Sequence, residues 1–289
     1  MTSFNPKDLS LNILQGYLQS AVAPRPIAFA STLDIHGNPN LSPFSFFNVF
    51  STNPPILIFS PSRRVRDNST KHTLENAEAT KEVVINVVNY DIVQQMSLSS
   101  TEYAEGVNEF EKAGLTMLKS DVVKPFRVAE SPVQFECKIN DIIKLGTEGG
   151  AGNLIICEVV KFHISKDVLN KDESINQKKL DLVARAGGNL YSRANKGFFE
   201  IPKPLSTLGI GVDNLPDDVK NSMVLTGNDL GMLANVEVLP NKKMVNEFIK
   251  SVGERYPNIK NASHRDKHKL ARNYLSYGDI DSAWKILLS

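Results

Sequence analysis

Cations and hydroxyls crowd one short stretch, "SPSRRVRDNSTKHT", which holds Ser60, Ser62, Arg63, Arg64, Arg66, Ser69, Thr70, Lys71 and Thr73. The following residues, "STKHTLENAEATK", read as a helix with Ser69 or Thr70 as cap and Leu74 and Ala77 on its inner face. A helix N-terminus offers free N–H groups and a positive dipole end, which suits a phosphate. Arg and Lys can neutralise the dianion, and hydroxyls can donate to its oxygens. A solvated loop has the same composition, so the run alone leaves both readings open.

Just upstream lies "PFSFFNVFS". Alternate residues of a strand share a face, so Ser45, Phe47 and Val49 should point one way. Phe44, Phe46, Asn48 and Phe50 should point the other. Rings mixed with an amide suit a flat heteroaromatic ligand with a polar rim, although they also suit a plain core strand. Taken with the cationic run, the strand describes a grip on a molecule with a flat ring at one end and a phosphate at the other, the shape of FMN. In "AVAPRPIAFASTLD", Arg25 is held stiff between two prolines, and Ser31 and Thr32 can donate to a ligand edge.

The surrounding pattern is mostly strand. "PIAFASTLD", "LSPFSFFNVFS" and "ILIFS" are separated by the turns "IHGNPN" and "TNPP", which predicts a three-strand antiparallel meander. "EVVINVVN" adds a strand, and Gly114 should stop a short helix in "GVNEFEKAGL". "VQFECKINDIIKLG" and "NLIICEVVKFHIS" flank the glycine-rich "TEGGAGN", a hairpin signal. Six or seven mainly antiparallel strands point to a closed or partly split barrel. "FEIPKPLSTLGIGVDNLPDDVKNS" marks a Pro/Gly-rich shift, and the tail reads as helices meeting at Gly278. The expected division is a barrel domain over residues 1–196 and a mainly helical extension over 197–289.

Composition narrows the classes. A chain of 289 residues with net charge +1 has no global field to draw it to nucleic acid or a membrane. No signal peptide or membrane-length apolar run stands out, so a cytoplasmic protein is expected. Cys137 and Cys157 lie in apolar runs without CxxC spacing and read as reduced core thiols. No GxSxG, P-loop, leading GxGxxG or HExxH motif is present. His264 and His268 are spaced i,i+4, but their charged run reads as a solvated surface because no third metal ligand is evident.

Several long motifs in order resemble the flavin reductase-like family of FMN-binding split-barrel proteins, which includes flavoredoxins. They are "APRPIAFASTLD", "GNPNLSPFSFFNVFSTNPPILIFSPSRR", "KHTLEN", "EVVINVVN", "STEYAEGVNEFEKAGLT", "RVAESPVQFECKI" and "GNLIICEVVKFHI", with "ARAGGNLY" as a weaker continuation. The resemblance implies a mainly β, six-stranded Greek-key split barrel with inserted helices, and a homodimer with FMN at the subunit boundary. It implies ring and ribityl contacts on Arg25, Ser31, Thr32, Ser45, Phe46, Phe47 and Asn48. Phosphate contacts fall on Ser60, Arg63, Arg64, Lys71 and Thr73. His163 matches a position near the nicotinamide or flavin, a catalytic assignment, and a buried strand histidine is the competing reading. His72 departs from the Asp found in many relatives. The implied activity is electron transfer from NAD(P)H through flavin to an acceptor. An FMN-binding electron carrier and a cofactor-free barrel are the alternatives.

Overall fold

The order of strands in the main sheet follows from one bend in the chain. In a computed structural model that describes residues 1–205 and 208–289, the first unit begins with helix α1 (Leu11–Ala21). Four strands follow: β1 (Ala28–Leu33), β2 (Pro39–Phe44), β3 (Phe47–Thr52) and β4 (Pro55–Phe59). Next come α2 (His72–Thr80), β5 (Glu82–Val87), α3 (Val93–Leu98), α4 (Glu109–Ala113), and the short strands β6 (Met117–Leu118) and β7 (Arg127–Val128). The long strands β8 (Val133–Lys144) and β9 (Asn153–Ile164) are followed by α5 (Gln177–Leu180), β10 (Val183–Arg185) and β11 (Tyr191–Arg193).

The seven-stranded sheet is antiparallel in the order β2-β1-β5-β8-β9-β4-β3. The expected three-strand meander does not form. The run "LSPFSFFNVFS" breaks at Ser45 and Phe46, so β2 pairs with β1 (Phe44 opposite Ala28) while β3 pairs with β4 (Phe47 opposite Phe59). The two outer strands are thus joined by two residues of chain, and no ladder pairs them among the described residues. The sheet curls so that its edges meet covalently without closing, which among the two expected forms, closed or partly split, fits the split one.

Burial explains the curl. Ala28 and Ala30 of β1 pack with Phe44, Phe59, Ile85, Ile155 and Cys157 on one face. Phe29 packs with Leu41 of β2 and with Met96 and Phe110 of the helical layer on the other. Strands buried on both faces carry small and large apolar residues alternately, which is why "IAFA" reads as a continuous apolar run. Cys137 and Cys157 are free and buried, and burial pushes both thiols well above their ordinary pKa. The turn between β1 and β2 is held by the Asp34 carboxylate, which accepts the N–H of His36 and Asn38 at 2.8 Å, with Gly37 at φ +88°. Gly114, at φ +65°, ends α4.

Contacts divide the chain into Met1–Phe199 and Glu200–Ser289. The second unit contains α6 (Asp217–Lys220), α7 (Gly227–Ala234), α8 (Lys242–Ser251), α9 (His264–Ser276) and α10 (Ile280–Leu287), with no strand among the described residues. "Mainly β" therefore gives way to a mixed α/β chain. Ser206 and Thr207 of the Pro/Gly-rich stretch lie outside the described residues. The α9–α10 corner turns at Gly278 (φ +77°), and the core of this unit centres on Trp284, whose Nε1–H donates to the Leu233 carbonyl at 3.0 Å. Among the described residues no helix is long and apolar enough to cross a membrane.

Candidate functional site

The cationic loop leaves β4 at Phe59 and is fixed from two sides. Ser60 donates its N–H to the Phe46 carbonyl at 2.9 Å, and its hydroxyl accepts the Asn153 N–H at 3.0 Å. The Asn153 amide donates to the Pro61 carbonyl at 2.8 Å, Arg63 N–H bonds to Ala151 and Gly150 N–H to Arg63, each at 2.9 Å. The glycines of "TEGGAGN" make this docking possible. A Cβ on Gly152 would stand 2.8 Å from the Ser60 hydroxyl, and one on Gly149 3.0 Å from the Arg64 carbonyl. The hairpin between β8 and β9 is thus a wall for the loop.

Within the loop most charges are already matched. Arg63 donates to the side chain and carbonyl of Asn68, both at 2.6 Å. Arg64 pairs with Glu102 at 3.1 Å and donates to Ser69 Oγ at 2.9 Å and the Thr70 carbonyl at 2.5 Å. Arg66 pairs with Asp67 at 3.0 Å and with Glu102. Lys71 differs. It is half-buried, and its ammonium makes no hydrogen bond or ion pair with any described residue. Burial, and then the Arg64 charge, push its pKa below the ordinary lysine value. The N-cap of α2 is Lys71 itself, not Ser69 or Thr70, and it makes no side-chain cap. The first N–H groups of α2 are therefore unsatisfied by a side chain.

Three expected hydroxyls turn inward. Thr73 is buried and its Oγ1 accepts from the Asn40 amide at 2.9 Å. Thr32 is buried and accepts from Asn40 at 3.3 Å and Asn76 at 3.1 Å. Strand alternation sends Ser31 to the opposite face, where its buried hydroxyl has no partner among the described residues. Thr32 and Thr73 hold β1, β2 and α2 together and are not open to a ligand in this arrangement.

The bend after Phe44 also resets the alternation expected for the aromatic strand. Phe44 and Phe47 both join the core, whereas Phe46, Asn48, Val49 and Phe50 are exposed. Val49 and Phe50 are each 63% exposed, beside a bulge in the β3–β4 ladder. Arg25 is buried under this region. Its guanidinium donates to Ser45 Oγ at 3.4 Å, to the carbonyls of Gln19 and Val22, and to Ala186 at 3.3 Å. It stands 5.9 Å from the Phe46 ring centroid. Its backbone bridges to Arg185, so "ARAGGNLY" is brought beside "APRP". A cleft of about 630 Å³ opens there, lined by Ser45, Gln94, Ser97, Arg185, Asn189 and Tyr191 among others, and by no residue of the cationic loop.

His163 sits elsewhere. Its Nε2 is 2.7 Å from Glu136 Oε1, a fully buried carboxylate that also accepts the N–H groups of Asp121, Val122 and Val123 at 2.9, 2.7 and 3.2 Å. His163 lies ten residues along β9 from Asn153, roughly 30 Å at strand rise. Within one copy it does not join the loop at Ser60, and the Glu136 pairing went unseen in the sequence because the partner lies on another strand.

A family description, the flavin reductase like domain, matches residues 20–185. An uncharacterized protein of Aquifex aeolicus is 36% identical over 191 residues, 66% of this chain and 95% of that one. Nitrilotriacetate monooxygenase component B from Bacillus cereus is 28% identical, covers 70% of this chain and 98% of its own, and superposes with a TM-score of 0.65. A Shewanella frigidimarina protein provisionally described as a flavin reductase with split barrel domain is 25% identical over 70% of this chain and all of its own (100%), with a TM-score of 0.59. With its ordered motifs, its split antiparallel sheet and these likenesses, the chain belongs to the flavin reductase like domain family.

Proposed function

We propose that the chain is an FMN-dependent oxidoreductase of the flavin reductase type, taking electrons from NADH or NADPH and working as a homodimer. The observation that carries this reading is Lys71, a half-buried ammonium that makes no ion pair or hydrogen bond among the described residues, at a helix start without a side-chain cap, beside Arg64. Two neighbouring cations and a helix start without a side-chain cap favour a phosphate dianion. Ser45, the exposed Phe46 ring and the Asn48 amide would hold the ring system, and Ser60 would shape the loop floor. The buried, unpartnered Ser31 hydroxyl is a further group that a ligand-bound rearrangement would satisfy. The phosphate and ring ends of FMN would suit these two groups of residues.

Bound FMN supplies the hydride chemistry, so no catalytic triad is required. The chain's own part is to bind the phosphate, orient the ring and keep water from its face. The cleft beside Ser45 does not reach the cationic loop in one copy, and the exposed Val49 and Phe50 on the outer strand β3 form an apolar surface that a second copy would cover. His163, remote from the loop of its own copy, is left out of the same-copy contact set. Anaerobic mixing of the FMN-loaded protein with NADH or NADPH tests the reading. Loss of visible flavin absorbance with either donor supports it. An unchanged spectrum with both would make the chain an electron carrier reduced by a partner.

A further inference from the structure

We propose that Asp218, His264 and His268 form a binding site for a divalent first-row transition ion, with zinc the best fit, inside the Glu200–Ser289 unit. His264 opens α9 and His268 follows one turn later, so both rings lie on one face, with centroids 6.2 Å apart. Asp218 of α6 is the third ligand that the sequence does not reveal, because it lies 46 residues upstream of His264. Its Oδ2 is 2.9 Å from His264 Nδ1 and 3.7 Å from His268 Nε2, and the three donor atoms all lie within 4.8 Å of one another. Ligand atoms around a tetrahedral zinc are about 3.3 Å apart, given bonds of about 2.0–2.1 Å, so shifts well under a side-chain length suffice.

A second observation points to a ligand. His268 is only 5% exposed, yet its Nε2 has no hydrogen-bond partner among the described residues and is aimed at the Asp218 carboxylate. A buried ring nitrogen left bare is costly. The other nitrogen, Nδ1, is 2.8 Å from Ser222 Oγ, which is itself fixed by the N–H groups of Val224 and Leu225 at 3.1 and 3.0 Å. Because Ser222 Oγ already accepts those two N–H groups, its own O–H donates to Nδ1 in the ion-free chain. An ion at Nε2 requires the ring proton to move to Nδ1 and the Ser222 O–H to turn away, leaving the Nε2 lone pair for the ion. The His264 side chain is 78% exposed, so the site has an entry and an open fourth position. Two imidazoles and one carboxylate favour zinc-like ions over magnesium or calcium.

The cluster of Asp121, Glu136 and His163 has the same donor types but no such vacancy in its bonding. There Glu136 is saturated by three backbone N–H donors, and Asp121 is paired with Lys161.

The experiment is a Zn²⁺ titration of the full chain, first stripped with a chelator, against a competing chromophoric chelator, with Mg²⁺ as control. One equivalent of Zn²⁺ is expected, with no competition by Mg²⁺. Asp218→Asn and His268→Ala should weaken it more than about 100-fold, and Ser222→Ala about 10-fold, the range for an orienting partner. His264 is exposed, so His264→Ala keeps the fold and should still weaken binding strongly. Zn²⁺ binding that is absent from the native chain, or unaltered in both His264→Ala and Asp218→Asn, overturns the proposal. The readout is the metal itself and is independent of flavin binding.

Discussion

The two ends of β9 each gather charge, and they balance it differently. At the Ile164 end, Glu136 is buried but answered by three N–H donors, by His163 and by Arg127, whose Nε lies 3.9 Å away. At the Asn153 end, the loop that Asn153 anchors carries Arg64 and Arg66 paired with acids and Arg63 hydrogen-bonded to Asn68, and leaves the Lys71 ammonium with neither kind of contact among the described residues. The first cluster is finished and the second lacks an anion. Clustering of charged residues therefore distinguishes neither end, whereas an unbalanced charge does, and it is what the proposed phosphate site rests on.

The largest expected effect is at the finished end. Glu136→Ala removes the acceptor of three N–H groups, of which that of Val123 is buried, and the partner of His163 and Arg127, and should cost about 2–4 kcal/mol in chemical or thermal unfolding. FMN affinity measured on the folded fraction should not change. Burial alone would raise the Glu136 pKa, but the Asp121 N–H, His163 and the neighbouring N–H groups hold it below the ordinary carboxylate value. The folded pKa thus lies below the unfolded one, near 4.3, so this stability is present above about pH 4.3 and is lost as pH falls through the folded value. An acid-unfolding midpoint unaffected by Glu136→Ala would break the comparison.

The next effect is at the unfinished end. Lys71→Ala should weaken FMN binding by about 1–3 kcal/mol, read by flavin fluorescence titration. The same change removes a desolvated, unpaired ammonium, so the ligand-free protein should melt slightly higher. A melting point that falls would mean that Lys71 has a partner in the folded chain. Arg64→Ala should cost less, about 0.5–1 kcal/mol of FMN affinity, because Glu102, Ser69 and Thr70 already share that guanidinium. Smallest of all is Glu102→Gln. Removing this exposed acid frees Arg64 and Arg66 and should tighten FMN slightly, and a weaker complex would assign Glu102 to the ligand side.

Local chemistry was the legible part of the sequence. Turn residues at Gly37, the stop at Gly114 and the "TEGGAGN" hairpin all act through backbone geometry that a few neighbouring residues decide. The cationic loop was visible as a run, yet its balance was not, because Glu102 and Asn153 come from distant segments. The bend at Ser45 and Phe46 escaped period-two reading, since an unbroken aromatic run carries no sign that its halves pair at opposite sides of a sheet. Thr32 and Thr73 looked available because hydroxyls are legible by type, whereas their inward commitment to Asn40 and Asn76 depends on tertiary packing. The i,i+4 pair His264 and His268 reads as surface for the same reason, with Asp218 and Ser222 hidden by sequence distance.

One titration bears most directly on the cationic loop as a phosphate holder: equilibrium binding of FMN and of riboflavin, which differ only by the phosphate, to the same chain. FMN should bind at least about tenfold tighter, with the advantage shrinking as salt is added and falling several-fold in Lys71→Ala. Equal affinities for the two flavins, at low salt and with the native chain, would contradict it.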